Sequence, residues 1–135
     1  MYISDYQIRI RYSETDQMGY VYYGNYAAFY EVGRVEAMRQ LGYAYKTMEE
    51  SGTMMPVLEM HTQFLQPARY DELVTIRTTI PEMPGVRLQF LHDIFGEDGN
   101  LINSAVVKLV FVNSTTQKPC RPPARIVELL SPFFK

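Results

Sequence analysis

One helical stretch among strand-like segments constrains the fold of this chain most. Between residues 25 and 41 the apolar side chains recur at steps of three and four, the period of a helix that is buried on one side. This stripe consists of Tyr26, Tyr30, Gly33, Ala37 and Leu41. Because Gly33 and Ala37 are small for core positions, we expect a flat sheet to approach this helix closely.

Most of the remaining sequence alternates between apolar and polar residues, which is typical of strands. The predicted strands are Tyr2–Tyr12, Met54–Phe64, Leu73–Ile80, Val86–Phe95 and Leu101–Val112. The last of these is apolar on both faces, which indicates that both are covered. One helix can cover only one face of the sheet, so the other face is a candidate subunit interface. We predict a single α+β domain, residues 1–135, with a five-stranded antiparallel sheet wrapped around one long central helix.

Local signals predict how the helices begin and end. Asn25 is the predicted N-cap, because its side chain can accept a hydrogen bond from a free backbone N–H. Gly42 suits a left-handed cap at the C-terminal end. A second short helix is predicted at Ala44–Glu50, and a helical turn near Ile126–Leu130.

The composition excludes several classes of protein. Hydrophobic residues make up 47% of the chain, enough for one packed core, and the formal net charge of -2 shows no basic excess for binding nucleic acid. No run of about 18 apolar residues occurs, so no membrane span is expected. With Cys120 as the one cysteine, no internal disulfide can form. These features predict a soluble, cytoplasmic protein.

Several common catalytic motifs are absent from the sequence. There is no G-x-S-x-G elbow of a serine hydrolase, and no P-loop or G-x-G-x-x-G motif for a nucleotide cofactor. His61 and His92 stand alone on predicted strands, so we predict no metal site. Cys120 lies between prolines with no histidine nearby and is interpreted as an ordinary thiol. No cofactor is predicted.

The segment from Arg11 to Arg34 is the best candidate for a site. Asp16 lies on a polar loop, Gly19 allows a sharp turn, and the helix then begins with backbone N–H groups that have no internal acceptor. Such donors can bind negative charge that develops on a carbonyl oxygen. A carboxylate beside them makes a minimal acyl-transfer site. The alternative is that Asp16 is only a cap or a solvated turn residue.

This segment resembles the signature of the 4-hydroxybenzoyl-CoA thioesterase-like branch of the hot-dog superfamily. The run YSETDQMGYVYYGNY at residues 12–26 carries the resemblance, and the helix continues in the same manner. Residues 67–72 (PARYDE) resemble a family turn between strands, and Lys118-Pro119 resembles part of the C-terminal segment. The resemblance implies a hot-dog fold, with homodimers or homotetramers whose active sites lie at the dimer interface.

The resemblance also implies roles for individual residues. Asp16 matches the catalytic aspartate, and Tyr23 matches the position whose backbone N–H polarises the thioester carbonyl. Gly19 matches the turn glycine, while Gly24 and Asn25 lie where the helix begins and are expected to shape the substrate site.

Several further residues have competing interpretations. Tyr22 belongs to an aromatic cluster that either lines an acyl pocket or packs in the core. Arg87 is the one basic residue where the 4-hydroxybenzoyl-CoA enzyme has a basic cluster, so it is a predicted contact for the nucleotide phosphates, but activity on 4-hydroxybenzoyl-CoA itself is not predicted. Other groups must also hold coenzyme A, and Arg69 and Arg121 are candidates whose alternative role is a solvated or structural ion pair. Glu31 is a second candidate for the catalytic carboxylate, but we favour a structural role for it, as a partner of Arg34 or of a neighbouring strand.

The predicted activity is hydrolysis of an acyl-CoA thioester to the free acid and coenzyme A. Asp16 would act as a nucleophile or as a general base on water, and the sequence does not separate the two routes. An acyl-carrier-protein thioesterase and a non-catalytic module that binds acyl thioesters remain as alternatives.

Overall fold

The computed structural model describes all of residues 1–135. The strands are β1 (Tyr2–Arg9), β2 (Thr53–Met54), β3 (Val57–Phe64), β4 (Leu73–Ile80), β5 (Arg87–Phe95), β6 (Leu101–Val110) and β7 (Val112–Asn113). The helices are α1 (Tyr26–Leu41), α2 (Tyr45–Glu50) and α3 (Ala124–Leu130). None of the helices combines the length and apolar character needed to cross a bilayer.

The five long strands form one antiparallel sheet in the order β1-β4-β5-β6-β3. Tyr6 lies opposite Ile76 at one end of this order, and Met60 lies opposite Val107 at the other. The predicted α+β architecture, a five-stranded antiparallel sheet with one long helix, is therefore confirmed. Strands β1 and β3 are the two edges.

Helix α1 lies against β1, β4 and β5, and its small residues explain how closely it approaches. A Cβ added to Gly33 would lie 2.6 Å from Oγ1 of Thr78 and 2.8 Å from Cγ2 of Ile76, both on β4. Because no side chain larger than hydrogen fits there, the sheet and the helix backbone are nearly in contact, as the sequence predicted.

The two ends of α1 differ from each other in how well they were predicted. Gly42 adopts the left-handed conformation with φ of 106°, so the C-terminal cap is confirmed. The prediction that Asn25 caps the N-terminus is wrong, because its backbone is already helical and its side chain makes no cap. Instead, Nδ2 of Asn25 donates to the carbonyl oxygen of Glu14 at 2.8 Å, and a 3₁₀ turn at Tyr23–Asn25 leads into the helix.

The predicted strand at residues 54–64 is two strands in the structure. Pro56 separates them, because proline has no N–H to donate to a neighbouring strand. Its carbonyl oxygen still accepts a hydrogen bond from the N–H of Val110 at 3.1 Å. The first piece, β2, pairs with β7 in a separate two-stranded sheet. The long strand predicted to end at Val112 is likewise divided after Val110.

A buried polar cluster connects α1 to the sheet. The hydroxyl of Tyr30 donates to Oδ1 of Asn103, and the Tyr30 ring stacks on His92 at 5.2 Å. Nδ1 of His92 lies 3.1 Å from Oγ1 of Thr78, and Nε2 lies 3.5 Å from the guanidinium of Arg34. Burial, followed by the charge of Arg34, lowers the pKa of His92 to about 3, so the imidazole is neutral at ordinary pH.

The sheet face opposite α1 is largely polar, although Ile3 of β1 is exposed on it. Two ion pairs occur on this face, Arg77 with Asp5 at 2.9 Å and Lys108 with Glu59 at 3.1 Å. Large exposed apolar residues concentrate on β3 and the residue after it: Val57, Leu58, Met60, Phe64 and Leu65. The β3 edge is therefore a further candidate for a subunit interface, beside the open face that the sequence suggested.

Candidate active site

Asp16 begins a tight turn that Gly19 makes possible. The N–H of Gly19 donates to the Asp16 carbonyl at 3.0 Å, and the N–H of Asp16 donates to the Tyr20 carbonyl at 2.8 Å. Gly19 has φ of 81°, a conformation that residues with a Cβ rarely adopt. The predicted need for glycine at this turn is confirmed by its backbone.

The two carboxylate oxygens of Asp16 have different environments. Oδ1 accepts from the N–H of Met18 at 2.9 Å and from the N–H of Tyr20 at 3.3 Å, which is the turn-stabilising role considered as an alternative. Oδ2 accepts no hydrogen bond from this chain. One oxygen thus holds the turn, while the other is free for a ligand.

Contacts with a distant segment fix the position of this loop. The N–H of Val21 donates to the carbonyl of Ala68 at 2.8 Å, and the guanidinium of Arg69 lies 4.9 Å from the centre of the Tyr20 ring. The loop therefore depends on residues 67–72, the segment singled out in the sequence because it resembles a family turn. Arg69 is engaged here as a structural residue.

Free backbone donors lie at the start of the helix, as predicted. The first hydrogen bond of the 3₁₀ turn runs from the N–H of Asn25 to the carbonyl of Tyr22 at 2.9 Å. The N–H groups of Tyr23 and Gly24 donate to no acceptor in the chain. Since they precede a 16-residue helix, they lie at the positive end of its dipole. Asn25 links this turn to the Asp16 loop through its bond to Glu14.

Asp16 and Tyr23 line the same cleft, whose volume is about 270 Å³. Its walls are mostly apolar and include Val21, Tyr26 and Phe64. The Tyr26 and Phe64 rings meet edge to face, 5.5 Å between centroids, and burial raises the pKa of Tyr26, so its hydroxyl stays neutral. We name this the Asp16 cleft; it suits an apolar acyl group with a carbonyl beside the carboxylate.

Tyr22 lies beside the cleft but does not line it. Its side chain is exposed, and its ring is 4.8 Å from that of Tyr23. A Cβ on Gly24 would lie 2.7 Å from Cε2 of Tyr22, so Gly24 lets this ring lie against the helix start. The substrate contact predicted for Tyr22 is not formed by the cleft of one chain.

Two other candidates are not brought to the Asp16 cleft. Arg87 begins β5 and Phe95 ends it, about 27 Å apart at about 3.4 Å per residue. The Phe95 end lies on the same side as Phe64 of the cleft, because Ile94 and Phe64 both pair with Asn103. Arg87 is therefore at the far end of the sheet in its own chain.

Glu31 is exposed on α1 and makes no ion pair with Arg34. Arg34 is only 6% exposed, its guanidinium lies 3.5 Å from Nε2 of His92, and its Nε has no hydrogen-bond partner. The structural pairing with Arg34 that we favoured for Glu31 is therefore wrong. No three His, Cys, Asp or Glu side chains converge as a set of metal ligands.

A second cavity, which the sequence did not predict, adjoins the helix start. It measures about 280 Å³ and shares Tyr23, Tyr26 and Phe64 with the Asp16 cleft, while Met60 and Thr62 of β3 form its floor. Oγ1 of Thr62 is buried and has no hydrogen-bond partner. The alternation at residues 58, 60, 62 and 64 was the available signal, but it could not show that α1 leaves this strand uncovered.

A sheet wrapped against one long helix, with a carboxylate loop at the helix start, defines the hot-dog class of α+β proteins. Residues 10–130 match the model of the thioesterase-like superfamily, and the chain belongs to that family.

Two relatives and a solved structure whose names describe thioesterases fit this assignment. YneP of Bacillus subtilis (strain 168), whose name marks it as a candidate acyl-CoA thioesterase, is 34% identical over 119 residues, 88% of this chain and 86% of that protein. The acyl-CoA thioester hydrolase YbgC of Escherichia coli O6:H1 is 33% identical over 120 residues, 89% of this chain and 90% of its own length. A DHNA-CoA thioesterase structure from Staphylococcus aureus superimposes with a TM-score of 0.93 and 32% identity, covering 98% and 91% of the two chains.

Proposed function

We propose that this protein is an acyl-CoA thioesterase in which Asp16 is the catalytic carboxylate. One observation carries the proposal: a half-buried carboxylate with one free oxygen and the unpaired N–H of Tyr23 line the same apolar cleft. Membership of the thioesterase-like superfamily, and acyl-CoA hydrolase names among relatives, support the substrate class.

The arrangement suits hydrolysis in a simple way. The thioester carbonyl oxygen would accept hydrogen bonds from the N–H of Tyr23, which stabilise the negative charge that forms when the carbonyl carbon is attacked. Asp16 either attacks that carbon, giving a mixed anhydride that water then cleaves, or removes a proton from water as the water attacks. In both routes the C–S bond breaks, coenzyme A leaves as the thiolate and gains a proton, and the acid is released.

The replacement of Asp16 by asparagine tests the proposal directly. Because the amide oxygen can still accept from Met18 and Tyr20, we expect the turn to survive and thermal stability to stay near that of the wild type. We expect kcat/KM in a thiol-release assay with an acyl-CoA panel to fall by about 100-fold or more.

Asp98→Asn is the matched control, since Asp98 also holds a turn, accepting from the N–H of Asn100 at 3.0 Å, but lies outside the cleft. Unchanged kcat/KM in Asp16→Asn would disprove the catalytic assignment. Binding of acyl-CoA without hydrolysis in the wild type would favour the non-catalytic alternative. Faster hydrolysis of the same acyl group on acyl-carrier protein would favour an acyl-carrier-protein thioesterase.

A homodimer formed through β3 is part of this proposal. β3 is an edge strand with free backbone groups, and its inner face, Met60, Thr62 and Phe64, extends beyond the cover of α1. Exposed apolar edges of this kind invite pairing with another strand. An antiparallel pair of two β3 strands would close both edges, join two five-stranded sheets and place two α1 helices on one side.

This dimer offers a place for Arg87. The strand β6 connects it to the start of β3, since Arg87 pairs with Val110, whose N–H donates to Pro56. In an antiparallel β3 pair, the start of one β3 lies beside the end of the other, which borders the Asp16 cleft. We therefore propose that Arg87 contacts the nucleotide phosphates of coenzyme A bound to the partner subunit, at the ends of the strands beside the β3 pair.

We also propose a cytoplasmic location. The support is chemical: Cys120 is a free, partly buried thiol, and acyl-CoA is an intracellular substrate. Fractionation of cells followed by immunodetection tests this, and recovery outside the cytoplasm would contradict it.

A further inference from the structure

The structure contains a large apolar pocket away from the Asp16 cleft. It measures about 530 Å³, within the usual range for ligand pockets, and lies between α2 and the small β2–β7 sheet. Met48, Met54 and Met55 line it together with Val112, and Glu49 is its one charged residue. We call it the methionine pocket.

The methionine pocket is too far from Asp16 to serve the cleft of its own chain. Pro56, which lines the pocket, immediately precedes β3, whereas Phe64, which lines the cleft, ends it. The seven steps from Val57 to Phe64 span about 24 Å at about 3.4 Å per residue. Pocket and cleft therefore lie at opposite ends of the same edge strand.

Antiparallel pairing of two β3 strands reverses this separation. The start of one strand then lies beside the end of the other, so the partner's methionine pocket comes next to the Asp16 cleft. Both lie on the α1 side of the sheet: Met48 belongs to the same buried core as Met38 of α1, and the cleft includes Tyr26 of α1. A two-fold axis perpendicular to the joined sheet keeps them on that side.

We infer that the partner's methionine pocket receives the distal end of the acyl group of a thioester bound at Asp16, and so sets the preference for acyl length. The inference rests on the proposed thioesterase function and on the β3 dimer. Methionine side chains are unbranched and adapt to apolar groups of different shapes. Glu49 at the pocket disfavours an acyl group that ends in a carboxylate, so the pocket suits a neutral, extended apolar chain.

Filling the pocket tests its role in substrate selection. In Met54→Trp the indole occupies space where a long acyl chain would lie, whereas Met54→Leu conserves the volume and is the control. We expect kcat/KM for decanoyl-CoA to fall about tenfold or more in Met54→Trp, with acetyl-CoA and the leucine variant within about twofold of wild type. If Met54→Trp is poorly folded, Met55→Trp replaces it. Equal losses on both substrates in a folded dimer would overturn the inference.

Mixed dimers test whether the pocket acts across the interface. Co-expression of an Asp16→Asn chain with a Met54→Trp chain, each with its own affinity tag, gives dimers that carry one change on each subunit. If the pocket serves the partner's cleft, one site keeps both Asp16 and an open pocket, and about half of the wild-type decanoyl-CoA activity remains. If each pocket serves its own chain, no intact site exists, and activity stays at or below that of the Met54→Trp homodimer.

The two proposals fail in different ways. Full activity of the Asp16→Asn homodimer removes the proposed catalytic function itself. A silent Asp16→Asn homodimer, together with an inactive mixed dimer, preserves the function and overturns the assignment of the methionine pocket to the partner's site.

Discussion

The two edge strands of the sheet, β1 and β3, have equal length but opposite surroundings. On β1, the hydroxyl of Tyr2 donates to the Ala37 carbonyl of α1 at 2.7 Å, and Ser4 donates to Gln40 at 2.7 Å. Tyr2 is 6% exposed and Ser4 is 5% exposed, whereas Met60 on β3 is 47% exposed. The start of β1 is thus covered by the helix of its own chain, whereas the inner face of β3 is left exposed.

This contrast supports β3 as the interface of the proposed dimer. A monomer that needed no partner would shield β3 with charge, with proline or with a second helix. The inner face of β3 instead carries apolar groups beside both cavities at the start of α1. The open edge and the candidate active site are therefore parts of one surface, and perturbing either edge should have distinct consequences.

The largest expected effect comes from placing a charge on the open edge. In Met60→Lys, dimerisation would bury an unpaired ammonium, so we expect the dissociation constant of the dimer to rise by at least about 100-fold, and activity to fall with it. Sedimentation equilibrium and thiol-release assays measure the two effects. Ile3→Lys on β1, at a residue that is 51% exposed, is the matched control. Equal dissociation in both variants would remove the distinction between the edges.

A smaller effect is expected where α1 packs closely against β4. Gly33→Ala forces a Cβ against Thr78 and Ile76 at distances below 3 Å, so the helix must shift. We expect a loss of about 2 kcal/mol in the free energy of unfolding, measured in urea. Gly85→Ala, where a Cβ would meet nothing within 4 Å, should change the same quantity by less than about 0.5 kcal/mol. An unchanged free energy of unfolding in Gly33→Ala would mean that α1 lies further from β4.

Lowering the pH should reduce the free energy of unfolding through His92. Its folded pKa of about 3 lies below the ordinary value of about 6.5, so between these pH values the unfolded chain binds more protons. The free energy of unfolding should therefore fall as pH falls below about 6.5, by up to about 1.4 kcal/mol per pH unit from this group. Urea titrations at pH 7, 6 and 5 measure the slope. The slope of unfolding free energy against pH should decrease in His92→Gln but not in His61→Gln, which alters the exposed β3 strand. Identical slopes in the wild type and in His92→Gln would show that His92 does not cause the pH dependence.

The smallest effect should come from the hydroxyl that fastens β1 to α1. Tyr2→Phe removes its bond to Ala37 and keeps the ring, so we expect a loss of about 1 kcal/mol in the free energy of unfolding, with the dimer dissociation constant unchanged. A shift in dimerisation would show that β1 also takes part in the interface.

Periodicity predicted the framework of the fold well, because long amphipathic elements leave a clear trace. The strand Leu73–Ile80 was placed to the residue, and α1 to within one. Asn25 was misjudged because a 3₁₀ turn before the helix moves the free donors upstream, which single-residue preferences do not reveal. The break at Pro56 was missed because the apolar pattern continues across it.

The candidate site was predicted where its parts are adjacent in sequence. Asp16, Gly19 and Tyr23 lie within eight residues, and the structure places them together. The hydrogen bond from the loop to Ala68 and the contact of Tyr30 with Asn103 join residues far apart in the chain, so periodicity and local motifs do not predict these pairings. The roles that we propose for Arg87 and the methionine pocket depend on contacts between two chains, and residue patterns within one sequence do not predict such contacts.

The strand order has a consequence for how the chain acquires its shape. Tyr2 pairs with Ile80, and Phe64 pairs with Asn103, so each edge strand waits for a neighbour made much later. During synthesis, β3 emerges from the ribosome well before β6 can cover its flank. Sheets built from such distant pairings fold slowly, and their unpaired strands are prone to aggregate meanwhile. β3 therefore stays unpaired on both sides until β6 has been synthesised, and its exposed apolar residues are prone to aggregation during that interval.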